Sequence, residues 1–225
     1  MKPQDIFSVP AGSRLFNGLT RDQANDILHA LGAETLAVKK GDVIVKQWSK
    51  ATHHYLVVSG EVHSHYTHTN GRRSVNGVFR SGDSFALVFA FSELKENPST
   101  AVAVRDSVVI RIPIVDIINN ELLIGKKERR TYVQNCCDII SQSAFRSRLR
   151  AFVLEQPTIE ERVRTYLGEK AKHFNTCEFD IPLDRQEFAD FIACDRSSLS
   201  SVLSKMKEKG LIDFRKNHFR IKAAV

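Results

Sequence analysis

Arg196, Ser197, Ser198, Ser200, Ser201 and Lys205 lie between Asp195 and Gly210, interleaved with Leu199, Val202, Leu203 and Met206. At helical spacing the apolar four form one stripe and leave hydroxyls and cations on the other side. Serine donates or accepts, and arginine forks onto guanine O6 and N7, so such a face can be read against base edges. Residues 205–222 hold seven basic side chains (Lys205, Lys207, Lys209, Arg215, Lys216, Arg220, Lys222) against Glu208 and Asp213. That excess suits phosphate neutralisation. A solvated helix looks much the same on charge alone, so the neighbouring elements must decide.

Other reactive residue types give less. Five of the eight histidines fall in one stretch: His53, His54, His63, His65 and His68. His63 and His65 share a strand face, and neighbouring imidazoles can hold zinc, copper or haem iron. No cysteine or acidic cluster completes a ligand set, so no metal site is assigned. The four cysteines, at 136, 137, 177 and 194, leave the first 135 residues without any. A disulfide framework would be spread through the chain, which points to a reducing, cytoplasmic setting. P-loop, Gly-x-Gly-x-x-Gly, His-Glu-x-x-His and Gly-x-Ser-x-Gly motifs are absent. No catalytic residue is assigned, and the chain is expected not to be an enzyme.

The elements that must position these residues change grammar along the chain. Thr20-x-x-Gln23 opens a helix that Gly32 stops. Short β-rich stretches follow at Val43–Val45, Tyr55–Val58, Val62–Tyr66, Ser74–Phe79, Thr100–Val104 and Val108–Ile112, separated by glycine turns. Such spacing predicts an antiparallel sandwich or barrel, with Asn70-Gly71 as a type I′ hairpin turn. A short helix is predicted over Ile114–Leu123, stopped by Gly125. From Lys127 to Leu154 neither Gly nor Pro interrupts the chain. Val133, Cys136 or Cys137, Ile140, Ala144, Leu149 and Phe152 give that helix one apolar stripe, which suggests pairing with a second copy. Thr158-x-x-Glu161 and Asp184-x-x-Glu187 are capping boxes for two more helices. Asp195 is expected to cap the helix carrying Arg196, and Gly210 to end it. Leu211–Phe214 and Phe219–Ile221 read as a hairpin around Lys216-Asn217-His218. Helix, break, helix, hairpin is the winged helix-turn-helix order.

Composition fits this outline. The chain has 225 residues, 42% hydrophobic and 26% charged, within the globular range. No apolar run reaches the ~18–20 residues of a membrane span, and the first residues lack a secretory signal. No membrane role is expected. Formal charge is +7, and residues 126–155 concentrate it, with seven basic residues against three acidic.

At this point the sequence resembles the Crp/Fnr transcription regulators over most of its length. Matching stretches are Leu15–Leu19, Lys40–Ile44, Tyr55–Val62, Gly82–Phe85, Leu183–Asp190 and Cys194–Ser200. The resemblance implies an α+β fold. A double-stranded β-helix (a cyclic-nucleotide-binding-like β-roll) would span 1–125 as effector or sensor domain. A long dimerisation helix with hinge would occupy 126–155, and a winged helix-turn-helix 156–225. It further implies a homodimer on a two-fold site in double-stranded DNA, RNA polymerase as a protein partner, and a small-molecule effector of unknown identity. The competing reading is a stand-alone ligand- or metal-binding β-roll, which leaves the winged helix unexplained.

Carried over by position, the base readers fall on Arg196, Ser197, Ser200 and Ser201, with Gln186, Arg215 and Lys216 as further DNA contacts. The family's usual Glu and final Arg are replaced by Ser197 and Ser201, so its best-known target sequence does not transfer. In the sensor, positions that hold ribose and cyclic phosphate carry Ala86, Leu87, Ser99 and Thr100. Leu87 accepts no hydrogen bond, and a phosphate without its Arg loses a charge-assisted partner worth ~1.5–3 kcal/mol. Cyclic AMP is therefore not expected, and without N-terminal cysteines neither is an iron–sulfur cluster. The resemblance lines the effector pocket with Val62, Ser64, Tyr66, Leu87, Ser99 and Thr100. It also turns the strand histidines outward, as solvated side chains.

Overall fold

The structure is a computed structural model that describes residues 7–71, 73–88, 96–114 and 125–222. The helix predicted over Ile114–Leu123 falls almost entirely outside the described residues. The chain forms two compact units, 1–141 and 142–225.

In the first unit, helix α1 (Arg21–Ala30) starts at the reciprocal Thr20–Gln23 box and buries Ala24, Ile27 and Leu28. Strands β1 (Glu34–Val38), β2 (Val43–Val45), β3 (His53–Ser59), β4 (Glu61–Thr67), β5 (Arg73–Arg80), β6 (Ser84–Phe85), β7 (Thr100–Ala103) and β8 (Ser107–Pro113) follow. They make two four-stranded sheets, ordered β1-β8-β3-β6 and β2-β7-β4-β5, with antiparallel pairing throughout. Val45, Tyr55, Val57, Val62, Phe85, Ala101 and Val109 fill the space between them. This is the expected β-roll within an α+β fold.

One face of the first sheet packs on that core, and the other packs on helices. Leu56, Ile110 and Ile112 join Leu15, Leu28, Leu87, Tyr132 and Cys136 in a separate cluster. So β3 is buried on both faces, as its unbroken apolar run allows. At the β3–β4 turn Gly60 has φ +90°. A Cβ there would lie 2.6 Å from that of Ser107, so only glycine lets the strands approach. The Asn70-Gly71 expectation needs correction. The β4–β5 connection begins at His68, after the end of β4, and only Gly71 of the pair has positive φ. Gly71 N–H donates to His68 O at 2.9 Å, which makes a longer turn than type I′.

The chain passes from one unit to the other within helix α2 (Lys126–Leu154). In the first unit Asn135 Nδ2 donates to Leu15 O and Asn17 O at 3.1 and 2.9 Å, which fixes the helix to the N-terminal segment. The single stripe read from the sequence divides. Val133, Cys136 and Ile140 pack in the first unit, Leu149 and Val153 in the second, while Ala144 and Phe152 are exposed.

The second unit holds α3 (Ile159–Phe174), β9 (Glu178–Asp180), α4 (Arg185–Ile192), α5 (Arg196–Glu208), β10 (Ile212–Arg215) and β11 (His218–Ile221). The three strands pair in the order β10-β11-β9. The capping boxes at Thr158 and Asp184 are both formed. Val163, Tyr166, Phe188, Leu199, Leu203, Met206 and Phe219 are the centre of its core.

Candidate nucleic-acid interface and β-roll interior

Two helices and a hairpin position the polar face of α5. Asp184 Oδ1 accepts from the amides of Gln186 and Glu187, both at 2.8 Å, and so fixes the start of α4. Phe188 and Ile192 then face Leu199 and Leu203 in the core. The break is set by Ala193, whose φ 60° and ψ 55° are left-handed. A Cβ in that conformation costs ~1–2 kcal/mol, part of which glycine would return as unfolded-state entropy. Ala193→Gly is expected to stabilise the unit by ~0.5–1 kcal/mol, read as a higher denaturant midpoint at unchanged m. Asp195 occupies the N-cap of α5, but its side chain makes no capping hydrogen bond. The expected cap is thus a position without its bond, and the first-turn amides of α5 have no side-chain acceptor there.

Arg196, Ser197, Ser200 and Ser201 are all exposed. Their spacing puts them on one face. Ser204, also exposed, extends it by one turn; the sequence reading passed over it, although the same spacing reaches it. Ser200 Oγ donates to Arg196 O at 2.9 Å, so outward it offers lone pairs rather than a proton. Gln186 is exposed with its amide partly committed, Nε2 donating to Asp190 Oδ1 at 2.9 Å.

The basic residues of 205–222 sort by their partners. Lys207 and Lys222 pair with Asp213 at 2.7 and 3.3 Å, and together they hold its carboxyl down to about 2. Lys209 pairs with Glu160 at 2.9 Å, and Arg220 with Glu178 at 2.6 Å. Lys205, Arg215 and Lys216, like Arg196, have no ion pair among the described residues and are exposed. Lys216, with φ +54°, is the first of the two residues turning β10 into β11. His218 already belongs to β11, one residue earlier than expected, and its ring bonds Glu178 at 2.9 Å.

Arg185 joins these parts, a role the sequence did not show. Its guanidinium donates to Lys216 O at 3.1 Å and lies 5.2 Å from the Phe214 ring centroid. Burial, then the charge of Arg196, lowers its pKa. The hairpin turn and the start of α5 therefore share one flank of the unit.

The six residues expected to line the effector pocket are not all brought together: Ser64, Ser99 and Thr100 are neighbours, but Leu87 and Val62 lie apart. Val62 is buried between the sheets, whereas Leu87 packs in the cluster beside α1 and α2. The intervening sheet separates the two. Ser64 bonds Asn76, whose Nδ2 donates to Ser99 Oγ at 2.7 Å. Thr100 Oγ1 accepts from Gln47 N at 3.1 Å. Tyr66 meets exposed Trp48 edge-on at 6.4 Å. None of the six lines a cavity of about 400 Å³ that this unit contains beside β2.

The solvated-histidine expectation fails for two of the five. His54 is 3% exposed and His65 9%. His54 lies on the helix-facing side of β3, where its Nε2 meets Tyr132 Oη at 3.2 Å. Burial drives its pKa down to about 3. Cys136 is buried beside Tyr132, its thiol pushed up to about 12, while Cys137 is exposed. Among the described residues no three His, Cys, Asp or Glu side chains converge as a metal site would need.

Residues 35–119 match the cyclic nucleotide-binding domain family, and residues 147–224 match the Crp-like helix-turn-helix domain family. The chain belongs to the Crp/Fnr family of transcription regulators. As a Crp/Fnr regulator it is a DNA-binding protein. It is 21% identical to the transcriptional activator protein FnrA of Stutzerimonas stutzeri over 189 residues, 82% of this chain and 75% of that one. The catabolite activator protein of Thermus thermophilus shares the fold at 23% identity, with TM-score 0.53, over 94% of this chain and 95% of that chain. So does the c-di-GMP responsive global regulator CLP of Xanthomonas campestris, at 18% identity and TM-score 0.55, over 89% and 99%. No described helix of this Crp/Fnr chain is long and apolar enough to cross a membrane.

Proposed function

We propose that the chain acts as a homodimer on an inverted-repeat DNA site. In this reading α5 lies in the major groove and the β10–β11 turn on the flanking phosphates. The observation that carries it is the sorting of charge. Cations away from the serine face are neutralised by Asp213, Glu160 and Glu178, while Arg196, Lys205, Arg215 and Lys216 are left available. Arg196 is the base reader, and Ser197, Ser200 and Ser201 permit close approach and accept hydrogen bonds from bases or water. Gln186 supports the approach from α4. By function the chain divides into a sensor at 1–125, a dimerisation helix and hinge at 126–155, and the DNA reader at 156–225. RNA polymerase is the protein partner of the bound dimer.

The sensor is read as responding to an effector other than cyclic AMP. Leu87 is buried away from Val62, and Ser99 and Thr100 bring no charge to a phosphate. For the interface, titration of a duplex at several salt concentrations is the test. Arg215→Ala and Lys216→Ala should each weaken specific and scrambled DNA alike and reduce the salt slope by about one. Unchanged slopes in both variants would remove the hairpin from the interface.

A further inference from the structure

Asn97 is 5% exposed and makes nearly every hydrogen bond available to it. Its backbone N–H donates to Ser49 O at 2.8 Å, and its backbone oxygen accepts from Trp48 N at 2.6 Å. Nδ2 donates to Ser49 O and Ser49 Oγ, both at 3.2 Å. Because a backbone carbonyl can only accept, the amide orientation is fixed. Oδ1 is left buried with no partner among the described residues.

Asn97 lines the cavity of about 400 Å³ beside β2 and the start of β3, a size usual for small-molecule pockets. Ile44 and Tyr55 give it apolar wall, and the Tyr55 ring is held flat against Phe85 at 4.8 Å. Lys46 and Lys50 are its charged residues, and among the described residues no carboxylate lines it. Neither lysine has an ion pair among the described residues. Glu96, which bridges Lys50 through backbone, makes none with it. His53 bonds Thr52 Oγ1 at 2.8 Å, and burial followed by Arg111 lowers its pKa, so its ring adds no charge at neutral pH.

We propose that this cavity binds a small organic anion with an aromatic or apolar body. Lys46 and Lys50 hold the anionic group, and Ile44 and Tyr55 receive the body. The inference deepens the sensor reading given above, on which it rests, and moves the effector away from Ser99 and Thr100.

The probe is 1-anilinonaphthalene-8-sulfonate, which carries a sulfonate and an aromatic body. Its neutral counterpart is N-phenyl-1-naphthylamine. Each is titrated against the full chain by fluorescence and calorimetry. One sulfonate probe per chain is expected. The Lys46→Gln/Lys50→Gln double variant should bind it ~tenfold more weakly and change neutral-probe affinity less than ~twofold. Both lysines are exposed, so the fold should survive, and a thermal melt checks that. Absence of sulfonate binding, or equal affinity in the double variant, overturns the site. Salt-dependent DNA binding in the same preparation separates that failure from failure of the regulator reading.

Discussion

Between pH 6.5 and about 3, unfolding free energy is expected to fall by up to ~1.4 kcal/mol per pH unit through one side chain, His54. The native ring is enclosed by β3 and α2, with Nδ1 unpartnered among the described residues and Nε2 on Tyr132 Oη. Its folded pKa lies below the unfolded value, so in this window the unfolded chain takes up a proton that the native state refuses. The stabilisation is complete above pH 6.5 and is lost as pH falls towards the folded value. Two units of acidification would remove ~2–3 kcal/mol, a large share of the ~5–15 kcal/mol of an ordinary domain. His218 acts in the opposite sense. Glu178 and Asp180 raise its pKa, so its contribution is present at low pH and lost as pH rises through the folded value. Comparing wild type with His54→Phe cancels that term. Denaturant unfolding at pH 7, 6 and 5 should give a shallower loss in the variant, and equal losses would contradict the assignment.

Phe152→Glu is expected to convert a dimer into a chain sedimenting at 25.4 kDa and to weaken DNA binding by ~10²–10⁴. Phe145 and Phe152, 49% and 46% exposed, stand two turns apart on α2, with Arg148 between them on the same side and Ala144 just before Phe145. Arg148 lies over Phe152, 5.5 Å from its ring centroid, and Phe145 meets His173 at 5.9 Å. A second α2 would bury both rings, and a carboxylate placed there would be costly to desolvate. Loss of the dimer forfeits the intramolecular second half-site, which is where the affinity goes. Sedimentation as a dimer with unchanged DNA affinity would move the interface elsewhere.

Local rules carried most of the fold. Capping boxes at Thr20, Thr158 and Asp184 needed only their own neighbours, and all three formed. β6 escaped notice because two residues, Ser84 and Phe85, carry no periodicity. Period-two alternation places one face of β3 inward but does not say that the other also meets helices, and His54 was misread for that reason. The same sheet separates Leu87 from Val62, which period-two alternation could not show. At the DNA face, residue types and spacing were legible in the sequence. Which cations remain available was not, because Glu160 neutralises Lys209 from 49 residues away. Ala193 and Arg185 were likewise invisible, since a left-handed alanine and a guanidinium over Phe214 are tertiary facts.

Base reading by α5 is tested by the affinity of Arg196→Ala for two duplexes at matched salt. One is a site selected from random DNA by the wild-type protein, and the other is its scrambled counterpart. The expected result is a loss of ~1–3 kcal/mol on the selected site, little change on the scrambled one, and relaxed preference at one base pair in each half-site. Equal losses on both duplexes would show that Arg196 touches only phosphate, and would contradict base reading by α5.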